Sequence, residues 1–223
     1  MEQETSLSSA FQYFYYPDRP NLVINAILSG FHSRENNLVI RATFDFLINH
    51  IKIDSKMIET EERIRLVEGS LLTLVNRDFA SHKKFFSWFL AHLDNYVDMD
   101  VEVPADDPAV VSCVQAYKRI LHRYVNEFDS SKLTTSDSNE FNIRQPIAIL
   151  IRVFQDDDMF DVRNLILKDI TESLIKYIIL FYESPHVSAK ELGLFKRDTI
   201  PFFDLIREDQ VSVWEALGEL LQK

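Results

Sequence analysis

Apolar side chains recur along this chain at steps of three and four residues, the spacing of one face of an α-helix. The stripe is clearest after Pro108, where it consists of Val110, Val114, Tyr117, Leu121, Tyr124 and Phe128. Similar stripes predict roughly nine or ten helices, and no segment reads convincingly as a strand. The first predicted helix covers about Leu7 to Tyr15 and ends before Pro17. Two more predicted helices lie near the C-terminus, around and after Pro201.

Several helix starts and faces are predicted from single residues. Thr60 and Ser81 are plausible N-caps, because a hydroxyl can accept from the free amides of a first turn. On the helix that begins near Asn37, one face is predicted to consist of Val39, Thr43, Phe46, Leu47 and His50. Trp88 lies among Phe85, Phe86, Phe89 and Leu90, and we expect it to be buried at a joint between helices.

Short polar links predict that consecutive helices pack as antiparallel pairs. The sequence contains four glycines, few for a protein built on tight strand turns. We therefore predict an all-α fold of stacked antiparallel helix pairs, either a HEAT- or armadillo-like solenoid or an irregular helical bundle. Residues 1–223 are predicted to form a single helical domain, with flexible loops at 94–108 and 129–142.

The charge balance excludes some classes of partner. The net charge is −11, from 24 basic and 35 acidic residues. A negative domain is poorly suited to nucleic acid, whose phosphates need a positive surface, and to anionic lipid. No apolar run reaches the ~18 residues of a membrane span. With the single Cys113 and no signal-peptide pattern after Met1, we expect a cytoplasmic protein that makes at most weak peripheral membrane contact.

Catalytic and cofactor signatures are missing from the sequence. There is no glycine-rich phosphate loop, G-x-S-x-G elbow or H-E-x-x-H pair, and the six histidines show no ligand spacing. The acidic run from Asp98 resembles the start of a calcium loop, but Val103 and Ala109 stand where glycine and glutamate are required. We therefore expect no enzyme activity, no cofactor and no metal.

Two basic clusters interrupt the acidic composition. The first consists of Arg77, Lys83 and Lys84, and the second of Lys118, Arg119, His122 and Arg123. Each can be a solvated helix face, which is the common case for charged helical residues. Each can also be a docking face for an acidic partner or a lipid head group. These residues are the candidate partner or lipid site.

The segment Arg77 to Leu90, reading RDFASHKKFFSWFL, resembles a motif in the N-terminal region of the Dopey family. In that motif an Arg-Asp pair leads through a Ser and two basic residues to an aromatic and a Trp-Leu-Leu-like end. Asp78 and Trp88 are its main structural positions here. Upstream, Val39, Arg41, Asp45, Phe46 and Leu47 resemble the family's V-x-R-x-x-x-D-F-L helix. Downstream, the Pro146 helix and the acidic residues Asp156 to Asp158 continue the similarity, which covers roughly residues 20–180.

This resemblance implies a helical-repeat scaffold on the cytosolic face of Golgi and endosomal membranes. It also implies protein partners in membrane trafficking: a large scaffold related to Arf exchange factors, and lipid-flipping P-type ATPases. Ala91-His92 stand where the family pattern has a glycine, and Dopey proteins are much longer than this chain. For Arg77 and Asp78 the residues themselves suggest a charged pair that fixes a helix end.

The function predicted from the sequence is a non-catalytic helical scaffold or adaptor for Golgi–endosome protein transport. The alternative is a stand-alone helical adaptor that binds a peptide or helix of a protein partner, unrelated to trafficking. A concave groove lined by aromatic residues favours the alternative. A pocket of converging carboxylates or histidines favours a third possibility, an unrecognised helical enzyme.

Overall fold

The computed structural model describes residues 22–33, 36–56, 58–76, 78–93, 96, 102–128, 145–156, 159–183, 187, 189–190 and 192–197. The chain divides into two compact units, Met1–Met99 and Asp100–Lys223. The single domain over residues 1–223 stays a prediction. The predicted helix at Leu7 to Tyr15, the loop 129–142 and the helices near Pro201 lie outside the described residues.

Within the described ranges the chain is helical and contains no strand, so the predicted all-α class is confirmed. The first unit contains α1 (Leu22–Phe31), α2 (Asn37–His50), α3 (Thr60–Thr73) and α4 (Phe79–Phe89). The second unit contains α5 (Pro108–Phe128), α6 (Gln145–Phe154) and α7 (Phe160–Glu183). A further helical segment covers residues 192–197.

Acidic residues, not the predicted Thr60 and Ser81, occupy the N-cap positions of α3 and α4. Glu59 is the N-cap of α3 and forms a capping box with Glu62, whose carboxylate accepts from the Glu59 amide at 3.3 Å. Thr60 is therefore the first helical residue and not the cap. Asp78 is the N-cap residue of α4, which places Ser81 inside the first turn. Both predicted caps were wrong because an acidic residue just upstream occupies the cap position.

The four helices of the first unit form two hairpins, α1–α2 and α3–α4, in which α1 packs on α3 and α2 packs on α4. The paired helices run parallel, because contacting residues advance together along both. In α1 and α3, Arg65 donates to the Asn25 side-chain oxygen at 3.0 Å, and one turn later Gly69 lies against Leu28 and Phe31. Two hairpins stacked with like helices adjacent are typical of a helical-repeat protein, so these contacts favour the stacked-pair alternative for this unit.

The core of α2 differs from its predicted face. Ile40, Phe44 and Leu47 are buried, with Phe44 and Leu47 0% exposed. Val39 is 37% and Phe46 39% exposed, so of the predicted face only Leu47 lies in the core. The helix carries apolar residues on two sides, and the neighbouring hairpin buries one of them.

The second unit is organised around α5, which packs on both α6 and α7. Asp107, at the end of the predicted loop 94–108, caps α5 by accepting from the Ala109 amide at 2.8 Å. The Tyr117 hydroxyl donates to the Pro146 carbonyl at 2.7 Å, and the Tyr124 hydroxyl donates to the Gln145 side chain. Tyrosine rings with partnered hydroxyls therefore hold α6 against α5.

Candidate functional site: the seam between helices 2 and 4

The motif residues meet along one line, which we call the α2–α4 seam: Arg41, Asp45 and Ile51 on one side, and Asp78, Lys84 and Trp88 on the other. Arg41 donates to both oxygens of Asp78, from Nε at 2.9 Å and from Nη2 at 2.5 Å. The Ser81 hydroxyl donates to Asp78 Oδ2 at 2.5 Å. The Asp78 side chain is 6% exposed and that of Arg41 37% exposed. This fork-like pair joins the start of α4 to the first part of α2.

The electrostatics of Asp78 follow from these contacts. The Arg41 hydrogen bonds, followed by the Ser81 hydrogen bond, hold the pKa of the Asp78 carboxyl well below its usual range, against the opposing effect of burial. The hydrogen bond to Asp78 likewise raises the pKa of Arg41. Asp78 is therefore ionised throughout the physiological pH range. It acts as a fixed negative anchor and is unsuited to exchanging protons near neutral pH.

A second ion pair lies further along the seam. Lys84 contacts the Asp45 carboxylate, with side-chain exposures of 30% and 52%. An exposed lysine pair contributes little stability, typically ~0.2–1 kcal/mol. Asp45 lies one turn beyond Arg41 on α2, and in this second pair the acidic residue is on α2 and the basic residue on α4, the reverse of the first pair. The two pairs together set the register in which α4 lies along α2.

Trp88 closes the seam at its far end. Its side chain is 2% exposed, and its indole N–H donates to the Ile51 carbonyl, the C-cap residue of α2, at 2.8 Å. Phe85 and Phe89, stacked at 5.5 Å between ring centroids, are also fully buried on α4. The indole therefore fills the joint between two helices while its one polar atom satisfies a helix end.

The other candidate residues lie apart from the seam or outside the described residues. Arg77 is not described, and the partner observed for Asp78 is Arg41 of another hairpin. Lys83 is exposed, whereas its neighbour Lys84 is committed to Asp45. Lys118 and Arg119 are half-buried, and Arg123 is exposed on α5. The structure thus separates the first basic cluster into one seam residue and one solvent-facing residue.

No group of three or more His, Cys, Asp or Glu side chains that could hold a metal ion occurs in the described ranges. Burial raises the pKa of the Cys113 thiol to about 12, so it stays protonated and unreactive. None of the described helices is long and apolar enough to cross a membrane.

The sequence motifs identified the residues on α2 and those on α4, but not the contacts between them. On α2 the basic Arg41 precedes the acidic Asp45 by four residues. On the α4 side the acidic Asp78 precedes the basic Lys84 by six residues, so the charges along the two helices are complementary. That complementary order was the available signal. Because α2 and α4 are parallel and not consecutive, local spacing could not show which charges meet.

The chain is similar to a known protein family over part of its length. No curated protein and no solved structure matches this chain. A family model described as Dopey, N-terminal, matches residues 1–94, which include α1 to α4 and the whole seam. The downstream similarity around Pro146 lies beyond this match. Over residues 1–94 the suspected similarity of this chain to the N-terminal region of the Dopey family is therefore confirmed.

Proposed function

We propose that this chain is a non-catalytic scaffold or adaptor module that holds protein partners during Golgi–endosome trafficking. The observation that carries the proposal is the match of residues 1–94 to the Dopey N-terminal region, over a stack of helical hairpins fastened by the α2–α4 seam. Stacked hairpins present long, rigid surfaces, which suits them to protein binding.

The partners expected by resemblance are a large scaffold related to Arf exchange factors and lipid-flipping P-type ATPases. The place of action is the cytoplasm, with peripheral association at Golgi or endosomal membranes. In this proposal the seam has a structural role and is not a binding surface, since Asp78 and Trp88 are buried. The candidates for contact with partners are the exposed Lys83 on α4 and Arg123 on α5, together with the half-buried Lys118 and Arg119 on α5.

The experiment is to express the tagged full chain in cells and to measure two things together. Microscopy measures overlap with Golgi and endosomal markers, and co-precipitation measures recovery of the two expected partner classes. We expect marker overlap and recovery of at least one class. A diffuse distribution with neither partner recovered would overturn the trafficking proposal.

A charge-reversal variant sharpens the test. Lys118→Glu/Arg119→Glu/Arg123→Glu reverses the candidate face of α5, and we expect it to lower partner recovery. The matched control, Lys168→Glu/Lys190→Glu, reverses exposed lysines on other segments and should leave recovery unchanged. Equal recovery with both variants would remove the α5 face from the proposal, and unchanged circular dichroism would show that both variants fold.

A further inference from the structure

One side of helix α5 is basic in an acidic chain. Its basic residues, which we call the α5 basic face, are the half-buried Lys118 and Arg119 and the exposed His122 and Arg123. The sequence from Pro108 to Asn126 contains no Asp or Glu, whereas the whole chain has a net charge of −11. The apolar stripe of the same helix is buried, and α5 packs on α6 and α7. The helix thus has one side committed to the core and one basic side.

The basic residues occupy two adjacent turns of α5. At a rise of ~1.5 Å per residue, Lys118 and Arg123 lie about 7–8 Å apart along the helix axis. Arg119 and Arg123 are one turn apart, a spacing at which like charges disfavour a helix. A carboxylate held between them relieves this repulsion. Both arginines also make contacts within the chain, but a guanidinium has five N–H donors and can serve an additional ligand.

The ring of His122 is oriented by a residue one turn further along. The side-chain amide nitrogen of Asn126 lies 3.1 Å from Nδ1 of His122, and an amide N–H donates to a ring nitrogen that carries no proton. In this arrangement the proton of the neutral ring is on Nε2, which can donate to an external acceptor. His122 therefore adds a directed hydrogen-bond donor to the charges of Lys118 and Arg123.

The composition of this face favours an acidic protein segment over a lipid surface. A helix that lies in a membrane interface exposes a large apolar face beside its basic residues. None of the large apolar side chains that are exposed in the described ranges lies on α5, which exposes the amides of Gln115 and Asn126. Helix α7, which packs on α5, exposes Asp169 and Glu172, so the neighbouring helix does not continue the positive charge that an anionic membrane attracts.

We propose that the α5 basic face binds an acidic segment of a protein partner. Its carboxylates pair with Lys118, Arg119 and Arg123 and accept a hydrogen bond from Nε2 of His122. From Gln115 to Asn126 this side of α5 is about 16 Å long, which fits about three turns of an acidic helix or about five residues of an extended segment. The inference rests on the proposed function, since it gives the chemistry of the partner that the scaffold holds at α5.

The test is peptide binding to the purified full chain, followed by fluorescence anisotropy. The probes are a short fluorescein-labelled peptide of alternating Glu and Ser, and the same peptide with Gln in place of every Glu. We expect the Glu peptide to bind at least about tenfold more tightly, the sum of several exposed ion pairs. This preference should shrink at high salt, because exposed pairs are screened.

Charge reversal locates the binding site. Lys118→Glu/Arg123→Glu should abolish the preference for the Glu peptide. The matched control, Lys168→Glu/Lys190→Glu, makes the same change in net charge at exposed lysines and should keep the preference. Circular dichroism checks that the variants fold. If charge reversal perturbs the fold, the neutral variant Lys118→Gln/Arg123→Gln takes its place and should also lose the preference.

Three results would overturn the proposal: equal binding of the Glu and Gln peptides, a preference that survives substitution of Lys118 and Arg123, or an equal loss in the matched control. The membrane is tested with phosphatidylcholine vesicles that contain phosphatidylserine, at physiological salt. Co-sedimentation that Lys118→Glu/Arg123→Glu removes would also overturn the proposal, because the face would then bind lipid. None of these results depends on localisation in cells, so a failure here is distinguishable from a failure of the trafficking proposal.

Discussion

In the first unit, charged groups join neighbouring helices, whereas in the second unit tyrosine rings and hydroxyls do so. The α2–α4 seam uses Arg41–Asp78 and Lys84–Asp45, closed by the Trp88 indole. Around α5, Tyr117 and Tyr124 reach α6, and Tyr124 packs edge-on against Tyr177 of α7 at 6.5 Å. Charged pairs contribute little net stability but specify which helices meet and in which register. Buried tyrosines contribute apolar area with one partnered polar atom.

The two kinds of joint also respond differently to pH. Burial is the main cause that raises the pKa values of Tyr117 and Tyr177, so both rings stay neutral across the range in which most proteins are stable. The Asp78 pKa is shifted downward by Arg41 and Ser81. Low pH should therefore destabilise the first unit, because protonation of Asp78 weakens its contacts in the seam. The tyrosine contacts of the second unit should not change.

The largest expected effect is that of Trp88→Ala. The substitution empties the joint between α2 and α4 and leaves the Ile51 carbonyl without its donor. We expect a loss of about 3–5 kcal/mol in the free energy of unfolding, measured by denaturant titration. Phe79→Ala is the matched control, since Phe79 is 82% exposed on the same helix and should cost little. A loss below ~1 kcal/mol for Trp88→Ala would mean that the indole is not a structural plug.

Asp78→Asn should come second. It removes the charge that holds both Arg41 and Ser81, at a position 6% exposed. A loss of about 1–3 kcal/mol is the usual result when a buried partner of a hydrogen-bonded group is removed. The comparison variant is Asp45→Asn at the exposed pair, which should cost clearly less. Equal losses would contradict the assignment of Asp78 as the anchor of the seam.

The pH dependence of the same variant gives an independent check. A carboxyl whose folded pKa is lowered stabilises the fold above its unfolded value, ~3.9, and this stabilisation is lost as the pH falls towards the folded value. The stability difference between the wild-type protein and Asp78→Asn should thus be constant above about pH 5 and shrink below about pH 4. A difference independent of pH down to acid unfolding would show that Asp78 is not ionised in the native state.

In the second unit, Tyr117→Phe should have a smaller effect. It keeps the buried ring and removes only the hydroxyl that donates to the Pro146 carbonyl at 2.7 Å. The expected loss is about 0.5–1.5 kcal/mol, the net value of one hydrogen bond. Tyr182→Phe, at a ring 42% exposed, is the control and should be near neutral. A Tyr117→Phe variant as stable as the wild type would show that ring packing alone holds α6.

Lys84→Ala should have the smallest effect. The pair with Asp45 is open to solvent, so a loss of about 0.2–1 kcal/mol is expected, and it should diminish in high salt. Lys176→Ala is the comparison, since Lys176 forms an exposed pair with Glu172 within a single helix. A loss above ~2 kcal/mol for Lys84→Ala would mean that the seam is far more strongly coupled than its exposure suggests.

Much of the fold was predictable because helical stripes are local. Pro108 and Pro146 stand at or beside the start of α5 and α6, and the α5 stripe from Val110 to Tyr124 lies in the core. The predicted caps were wrong because acidic residues just upstream, Glu59 and Asp78, occupy the N-cap positions in place of Thr60 and Ser81. The core face of α2 was missed because that helix has two apolar sides, and only the hairpin stacked on it decides which one is buried.

The seam itself could be predicted only in part. The resemblance picked out Asp78 and Trp88, and the residue types suggested a charged pair and a plug. The partner of Asp78 lies 37 residues away along the chain, on a helix that is not its sequence neighbour. Pairing over that distance depends on the parallel stacking of two hairpins, which spacing along the sequence does not encode.

The central claim is that the two family-like motifs interlock through Arg41 and Asp78, and a double-mutant cycle tests it most directly. Denaturation midpoints are measured for the wild-type protein, Arg41→Gln, Asp78→Asn and the double variant. The structure predicts strong non-additivity: with Arg41→Gln in place, Asp78→Asn should shift the midpoint much less than it does alone. Shifts that simply add would contradict the pairing, and with it the seam that joins the motifs.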